Sequence, residues 1–383
     1  MKGSTPIPTP LPWLLWLAAA GFLYCVLYHR PELSGLFRDH RFLMGGLLGL
    51  SLTIAVSETI ARVVHMPLLP PFFPAQIGLA LCAAPLAIFL MEPRWMRGLA
   101  LVFLAVCAWH FVALPVEGVT GAELTWRTIE PPIPRSAGPL HFQADGLALQ
   151  AYFFAGLFAP MLYLAAGPLF EHELWSGRKP PRRWLATLSL AWLIPCACVQ
   201  SRSLFVGALA ASLFYLVASR GGQARRWLLA AALAAVALGA YWYLFSANKS
   251  GFSLRWAYLD LYWHKAWEWP WIAFGRGLSF EPNLAMLIPG VDPITHSHND
   301  VVQMLYTWGL VTLLAYAAFW FGLLKLIRSG FLNRNKYWPV CALLVAVPSM
   351  ITDLGFEHYE KAAFLVILAA MCMALAPRPG AAR

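Results

Sequence analysis

Three short clusters in the chain bring together residue types that do chemistry. The first is Pro195-Cys-Ala-Cys-Val-Gln-Ser-Arg-Ser203, where Arg202 stands in a tight joint between two apolar runs. A charge at such a place is costly unless it reaches the interface or serves a purpose. It can snorkel to headgroups, or it can be fixed to hold an anionic ligand. The second cluster runs from Ser253 to Pro270, is rich in Trp and Tyr, and carries Arg255, His264 and Lys265; Gly275-Arg276-Gly277 follows as a flexible turn. The third is Ile294-Thr-His296-Ser-His298-Asn299-Asp300, directly before a long apolar run. A His-x-His pair can ligate a metal, although no His-Glu-x-x-His accompanies it and acids nearby are few. A neutral imidazole is also a good general base, because it titrates near working pH. The bland reading is a pair of loop histidines at a helix start, with Asn299 or Asp300 as N-cap.

Two guanidiniums and one imidazole on one face suit one kind of reaction. Arginine forks grip a phosphate or diphosphate, and a histidine takes the proton from an attacking hydroxyl. No glycine-rich nucleotide loop is present, and ATP is absent outside the cytoplasm. The energy must then be carried by the donor, as in a lipid-linked sugar diphosphate, whose lipid diphosphate is a good leaving group.

The elements that must position these residues are set by composition. Of 383 residues 60% are apolar and only 12% charged, with mean hydropathy +0.62. Soluble domains carry about 25% charged residues. Disorder, a collagen-like fibre, a small disulfide scaffold and an ordinary soluble enzyme are all poor fits. The fold class expected is an all-α polytopic membrane protein of about 11–12 transmembrane helices, since ~20 apolar residues span a bilayer. Seven cysteines, all within apolar runs and without a CxxC pair, read as buried inert thiols.

Apolar runs predict spans near 11–28, 42–60, 72–91, 98–115, 146–166, 184–200, 203–219, 227–245, 300–324, 338–352 and 362–376. The first is preceded by a single Lys2 and is read as part of the mature chain. If the 167–183 loop, with Arg178, Lys179, Arg182 and Arg183, is cytoplasmic, alternation puts 18 of the 28 basic residues inside and 13 of the 18 acids outside. The net charge of +10 is thus a matter of sidedness, and nucleic acid is not an expected partner. Arg202, Arg255 and His298 all fall on the outer side. The whole chain, 1–383, reads as one integral membrane domain, with a long outer loop over 246–299 carrying part of the site. Within that loop, apolar and aromatic residues recur at helical spacing (Leu254, Tyr258, Leu261, Tyr262), an amphipathic helix for the outer leaflet.

These residues resemble the O-antigen ligase and polymerase superfamily of bacterial membrane proteins. The pattern His298-Asn299, nine residues, Gly309, two residues, Thr312 is similar to that family's His-(Asn/Ser/Gln)-x9-Gly-x2-(Gly/Thr/Tyr). Ser201-Arg202 resembles its Ser-Arg-Gly arginine, with Ser203 where glycine is common. Arg255-Trp256, then Trp269-Pro270 and Gly275-Arg276-Gly277, resembles its loop of Arg, aromatic, Pro and Gly-x-Gly. The resemblance covers about 190–325. It implies a metal-independent, inverting glycosyltransferase of the inner membrane with a periplasmic active site and no cofactor. It implies an undecaprenyl-diphosphate-linked glycan donor, a lipid A–core or other glycan acceptor, and contact with membrane lipids. His298 would be the catalytic base, and Arg202 and Arg255 would bind the diphosphate. His296 would hydrogen-bond to His298 or the substrate, Asn299 is a further secondary site residue, and Lys265, His264 and Arg276 would line the entrance. A polysaccharide polymerase or protein O-oligosaccharyltransferase shares this donor chemistry, and a lipid-linked sugar transporter is the reading from another class.

Overall fold

The computed structural model describes residues 11–65, 75–122, 133–137, 140–143, 157–172, 174, 182–199, 201–218, 249–277, 299–352 and 359–377. Among them the protein is helical apart from one short antiparallel hairpin, β1 (Ile133–Ala137) with β2 (Leu140–Gln143). Three helical stretches are long and apolar enough to cross a membrane, Arg41–Ala61, Pro93–Thr120 and Asp300–Arg334, and six shorter apolar helices accompany them. The all-α polytopic membrane class expected from composition is therefore what the structure shows. All seven cysteines are free, and six are buried. The expected span at 227–245 lies outside the described residues.

Most of the remaining elements follow the apolar runs. They are α1 (Leu11–Tyr28), α3 (Arg41–His65), α4 (Ala75–Leu90), α5 (Pro93–Thr120), α9 (Arg202–Ala218), α13 (Trp338–Thr352) and α14 (Tyr359–Leu375). α5 is longer than the apolar run that announces it. Pro93 occupies its first turn and Gly121, at φ 70°, ends it in the left-handed conformation. Both are favoured at those ends, since proline lacks an N–H that the first turn leaves unused and glycine tolerates positive φ. Three elements depart from the expectation. α2 (Arg30–Asp39) is a short helix in what reads as a loop, burying Leu33 and Leu36. The expected span at 184–200 is two helices, α7 (Arg182–Ala191) and α8 (Leu193–Cys198), with a turn at Trp192. The fifth span ends as α6 (Met161–Ala166) followed by a wider π turn over Gly167–Glu171.

The central seam is α3 against the last long helix, α12 (Asp300–Gly330). It is antiparallel, with Leu43 beside Gly322, Gly46 beside Phe319 and Gly49 beside Ala315. A Cβ at Gly46 would lie 2.4 Å from the Phe319 nitrogen, and one at Gly322 would lie 2.3 Å from the Leu43 nitrogen. Small residues let membrane helices approach this closely, and dispersion contacts then replace the missing hydrophobic drive. α9 packs on α13 in the same manner, with Gly207 against the carbonyls of Leu344 and Val345.

Two loops that the charge pattern puts on one side do meet. Glu171 accepts the Tyr337 N–H at 2.9 Å, and Lys336 Nζ lies 2.9 Å from His172 Nδ1. Burial lifts the Glu171 carboxyl to about 7, against the pull of the Tyr337 and Trp338 N–H groups and of Lys336. Burial, with Lys336 beside it, lowers His172 to about 3, which leaves its ring neutral and able to accept from the ammonium.

Candidate functional site

The helix that follows His298 is not one straight span. Asn299 opens it as N-cap, its side-chain oxygen accepting from the Val301 and Val302 N–H groups at 3.1 Å each. This selects the capping role for Asn299 rather than Asp300. Nine residues on, Gly309 adopts φ 82°, ψ 178° and breaks the helix. In an unbroken helix residues 300 and 316 stand about 24 Å apart. Here the Tyr316 hydroxyl donates to Asp300 Oδ2 at 2.5 Å, so the limb 300–308 doubles back along the limb 310–330. The expected span at 300–324 is thereby corrected. The limb 310–330, about 30 Å long, is by itself long enough to cross a membrane, and 300–308 is a separate limb folded against it.

The break frees carbonyls, and three of them take donors from elsewhere. Tyr306 O accepts the Arg276 N–H at 3.0 Å and Thr307 O accepts the Gly277 N–H at 2.7 Å. Trp308 O accepts the Thr312 hydroxyl at 2.9 Å. Buried backbone polar groups need such partners. The spacing Asn299, Gly309, Thr312 thus has a plain physical content. It is a cap, a reversal and a hydroxyl that satisfies the carbonyl beside the reversal.

The segment that meets this break comes from α10 (Lys249–Ala266) and α11 (Trp271–Phe274). α10 buries Tyr258, Tyr262 and Ala266 on Val302, Leu305 and Tyr306 of the folded-back limb, while Trp263, Asp260 and His264 face outward. The expected helix is present, ending at Ala266, short of Pro270, but its Tyr258 and Tyr262 face packs on the folded-back limb rather than on the expected outer leaflet. Gly275 and Gly277, at φ 72° and 76°, bracket a non-helical segment that two backbone hydrogen bonds pin to the break, rather than a free turn. A Cβ at Gly275 would lie 2.3 Å from Thr307 O, and one at Gly309 would lie 2.4 Å from Ala273 O. No side chain fits between these backbones.

Arg276 is buried there at 8% exposure. Its Nη2 donates to Glu268 Oε2, and the guanidinium lies 5.5 Å from the Trp271 ring and 5.7 Å from the Tyr306 ring. Such stacking suits a weakly hydrated guanidinium. Lys265 Nζ bonds the other oxygen of Glu268 at 2.6 Å, and these two cations hold the Glu268 carboxyl below its ordinary range, Lys265 foremost. His264 is exposed, its Nδ1 2.8 Å from the Asp260 carbonyl. Lys265 and His264 therefore lie at the surface, whereas Arg276 is committed to the packing.

The central trio is only partly within view. His296 and His298 lie outside the described residues. Arg202 is the first residue of α9, and Arg255 lies in α10 one turn before Tyr258 and Leu259; of both, the backbone alone is described. What the structure brings together is the helix of Arg255 and the limb that begins two residues after His298. Sequence reasoning missed the support from the other half of the chain. Ser57 Oγ on α3 donates to Phe274 O and lies 3.5 Å from Thr307 O, and Glu58 Oε1 accepts the Trp308 Nε1–H at 2.9 Å. Both are buried. The available signal was an acid inside an apolar run. Among the described residues no group of three or more His, Cys, Asp or Glu could hold a metal ion.

Residues 186–317 match the family described as O-antigen ligase. The match covers about a third of the chain and includes Arg202, Arg255, His298, Gly309 and Thr312. Over these residues it bears out the resemblance read from the motifs to the O-antigen ligase and polymerase superfamily. Among curated proteins none matches the chain.

Proposed function

From the matched O-antigen ligase segment as premise, we propose that this protein transfers a glycan from undecaprenyl diphosphate to a sugar hydroxyl of lipid A–core. Transfer takes place at the periplasmic face of the inner membrane. His298 takes the proton from the acceptor hydroxyl as that oxygen attacks the anomeric carbon. The bond from that carbon to the diphosphate oxygen breaks, the configuration inverts, and undecaprenyl diphosphate leaves. Arg202 and Arg255 bind the diphosphate and stabilise the charge that grows on it. His296 supports His298 or the substrate, and Lys265 and His264 stand at the entrance. No metal or cofactor takes part.

The observation that carries this reading is the motif from Asn299 to Thr312. Its members within the matched segment build the fold-back that holds residue 299, and the helix of Arg255 packs on that same limb. Asn299, the sequence neighbour of His298, and Arg255 thereby belong to two elements in direct contact.

Purified protein given the lipid-linked glycan and lipid A–core should form the ligated product, and His298→Ala should slow this by roughly 10²–10⁴-fold. Arg255→Lys, which keeps the charge but loses the fork, should also lose most activity. Extension of the lipid-linked glycan instead of transfer to lipid A–core would make the protein a polymerase. Full activity of His298→Ala would remove the base from the mechanism. Chelation should leave the rate unchanged.

A further inference from the structure

The break at Gly309 and the segment Phe274–Gly277 are both held by α3, which lies outside the 186–317 match. Ser57 reaches the carbonyls of both, Phe274 on one side and Thr307 on the other. Glu58 takes the indole N–H of Trp308, the residue before the break. Its other oxygen lies where Gly277 passes, 3.5 Å from the position of a Cβ, and Ala61 one turn on closes the contact at 2.6 Å. A carboxyl buried in an apolar helix costs free energy, so a chain that keeps one there has a use for it. Its height on α3 is set by the glycine seam below, where Gly46 and Gly49 lock the register against Phe319 and Ala315.

We infer that Ser57 and Glu58 are positioning residues for the transfer site. They clamp the α10–α11 segment, which carries Arg255, onto the limb that carries residue 299, and so fix the spacing between diphosphate grip and base. Beside them, the ties between the two segments include the Arg276 and Gly277 N–H bonds, the Arg276 guanidinium over the Tyr306 ring and the tyrosine packing. The catalytic meaning of this clamp rests on the proposed transfer reaction; the clamp itself does not.

The test uses the full chain in lipid nanodiscs. Glu58→Leu removes both oxygens at similar volume, and Glu58→Gln keeps an oxygen that accepts the indole N–H. With the lipid-linked donor, Glu58→Leu should lower kcat at least roughly tenfold while the donor KM moves less than about threefold, and Glu58→Gln should recover most of the loss. Trp308→Phe, which deletes the donor and keeps an aromatic ring, should match Glu58→Leu, and the double variant should be no worse than either alone. It serves also if Glu58→Leu does not fold. In parallel, spin labels at positions 63 and 267, where Val63 and Trp267 are exposed, report the spacing of α3 and the outer loop, on a background with part-exposed Cys82 replaced by Ser. The distance distribution should be narrow in the parent, broad in Glu58→Leu and narrow again in Glu58→Gln. An active parent with unchanged kcat and unchanged distances in Glu58→Leu and Trp308→Phe overturns the inference alone. A parent inert toward lipid-diphosphate donors, whose distances still broaden in Glu58→Leu, overturns the transfer reading and leaves the clamp standing.

Discussion

Replacing Gly309 by Ala tests the fold-back at its weakest tolerance. The backbone at φ 82°, ψ 178° is nearly glycine-only, and an L-residue there costs roughly 1–3 kcal/mol. The new Cβ would also stand 2.4 Å from Ala273 O and 2.5 Å from Gly275 N, about 1 Å inside ordinary contact. Those are backbone atoms, so no side chain can swing aside. α11 must retreat, stretching the two bonds from Arg276 N–H to Tyr306 O and from Gly277 N–H to Thr307 O, at roughly 1 kcal/mol each. The sum is roughly 3–5 kcal/mol, or about two to three and a half powers of ten if it all falls on the site-competent arrangement. The assay is transfer from the lipid-linked donor, with protein amounts matched by immunoblot of the membranes. Gly45→Ala is the control, because a Cβ there meets nothing within 4 Å; it should keep the parental rate. If Gly309→Ala works within threefold of the parent, the hairpin reading of α12 is wrong.

Three further outcomes are expected. Tyr316→Phe deprives the buried Asp300 of its 2.5 Å donor, and transfer should fall roughly tenfold or more; Asp300→Asn, whose carbonyl oxygen still accepts, should lose less, and equal losses would credit the charge instead. Glu171 has its carboxyl raised from 4.5 to about 7 by burial. A raised acid favours the protonated fold, so its contribution is complete below pH 4.5 and drains as pH climbs to 7, by at most roughly 3 kcal/mol. Glu171→Gln should therefore flatten the fall in Tm between pH 5 and 8, read by tryptophan fluorescence in detergent; parallel curves for variant and parent would refute the assignment. Gly46→Leu should prevent close packing of α3 on α12, since even a Cβ there lies 2.4 Å from Phe319 N; folded yield by size-exclusion chromatography should collapse, and a normal yield would count against the seam.

Long apolar runs made the helices readable, because the bilayer's thickness imposes a length that ordinary core helices lack. The outer-loop helix was readable from aromatic spacing, and Tyr258 and Tyr262 do form its buried face. What escaped was any feature where backbone departs from the average within an apolar run. A lone glycine at 309 reads as a tolerated weak point in a helix, since nothing local announces a positive φ. α2 escaped because ten residues with four charges look like a loop until Leu33 and Leu36 find neighbours. The motif was legible as text, yet its physics needed Ala273 and Gly275 in place. Ser57 and Glu58 could not be linked to it at all, since the contact spans 250 residues of chain.

That separation bears on how far the family segment can travel. Lifted out and grafted into a foreign host, residues 186–317 would bring the reversal but not the floor beneath it. The indole of Trp308 would lose the Glu58 carboxyl that accepts its N–H, and Gly322, which seats Leu43, would stay behind. Chimeras between distant homologues should be joined so that the third and twelfth helices come from one parent.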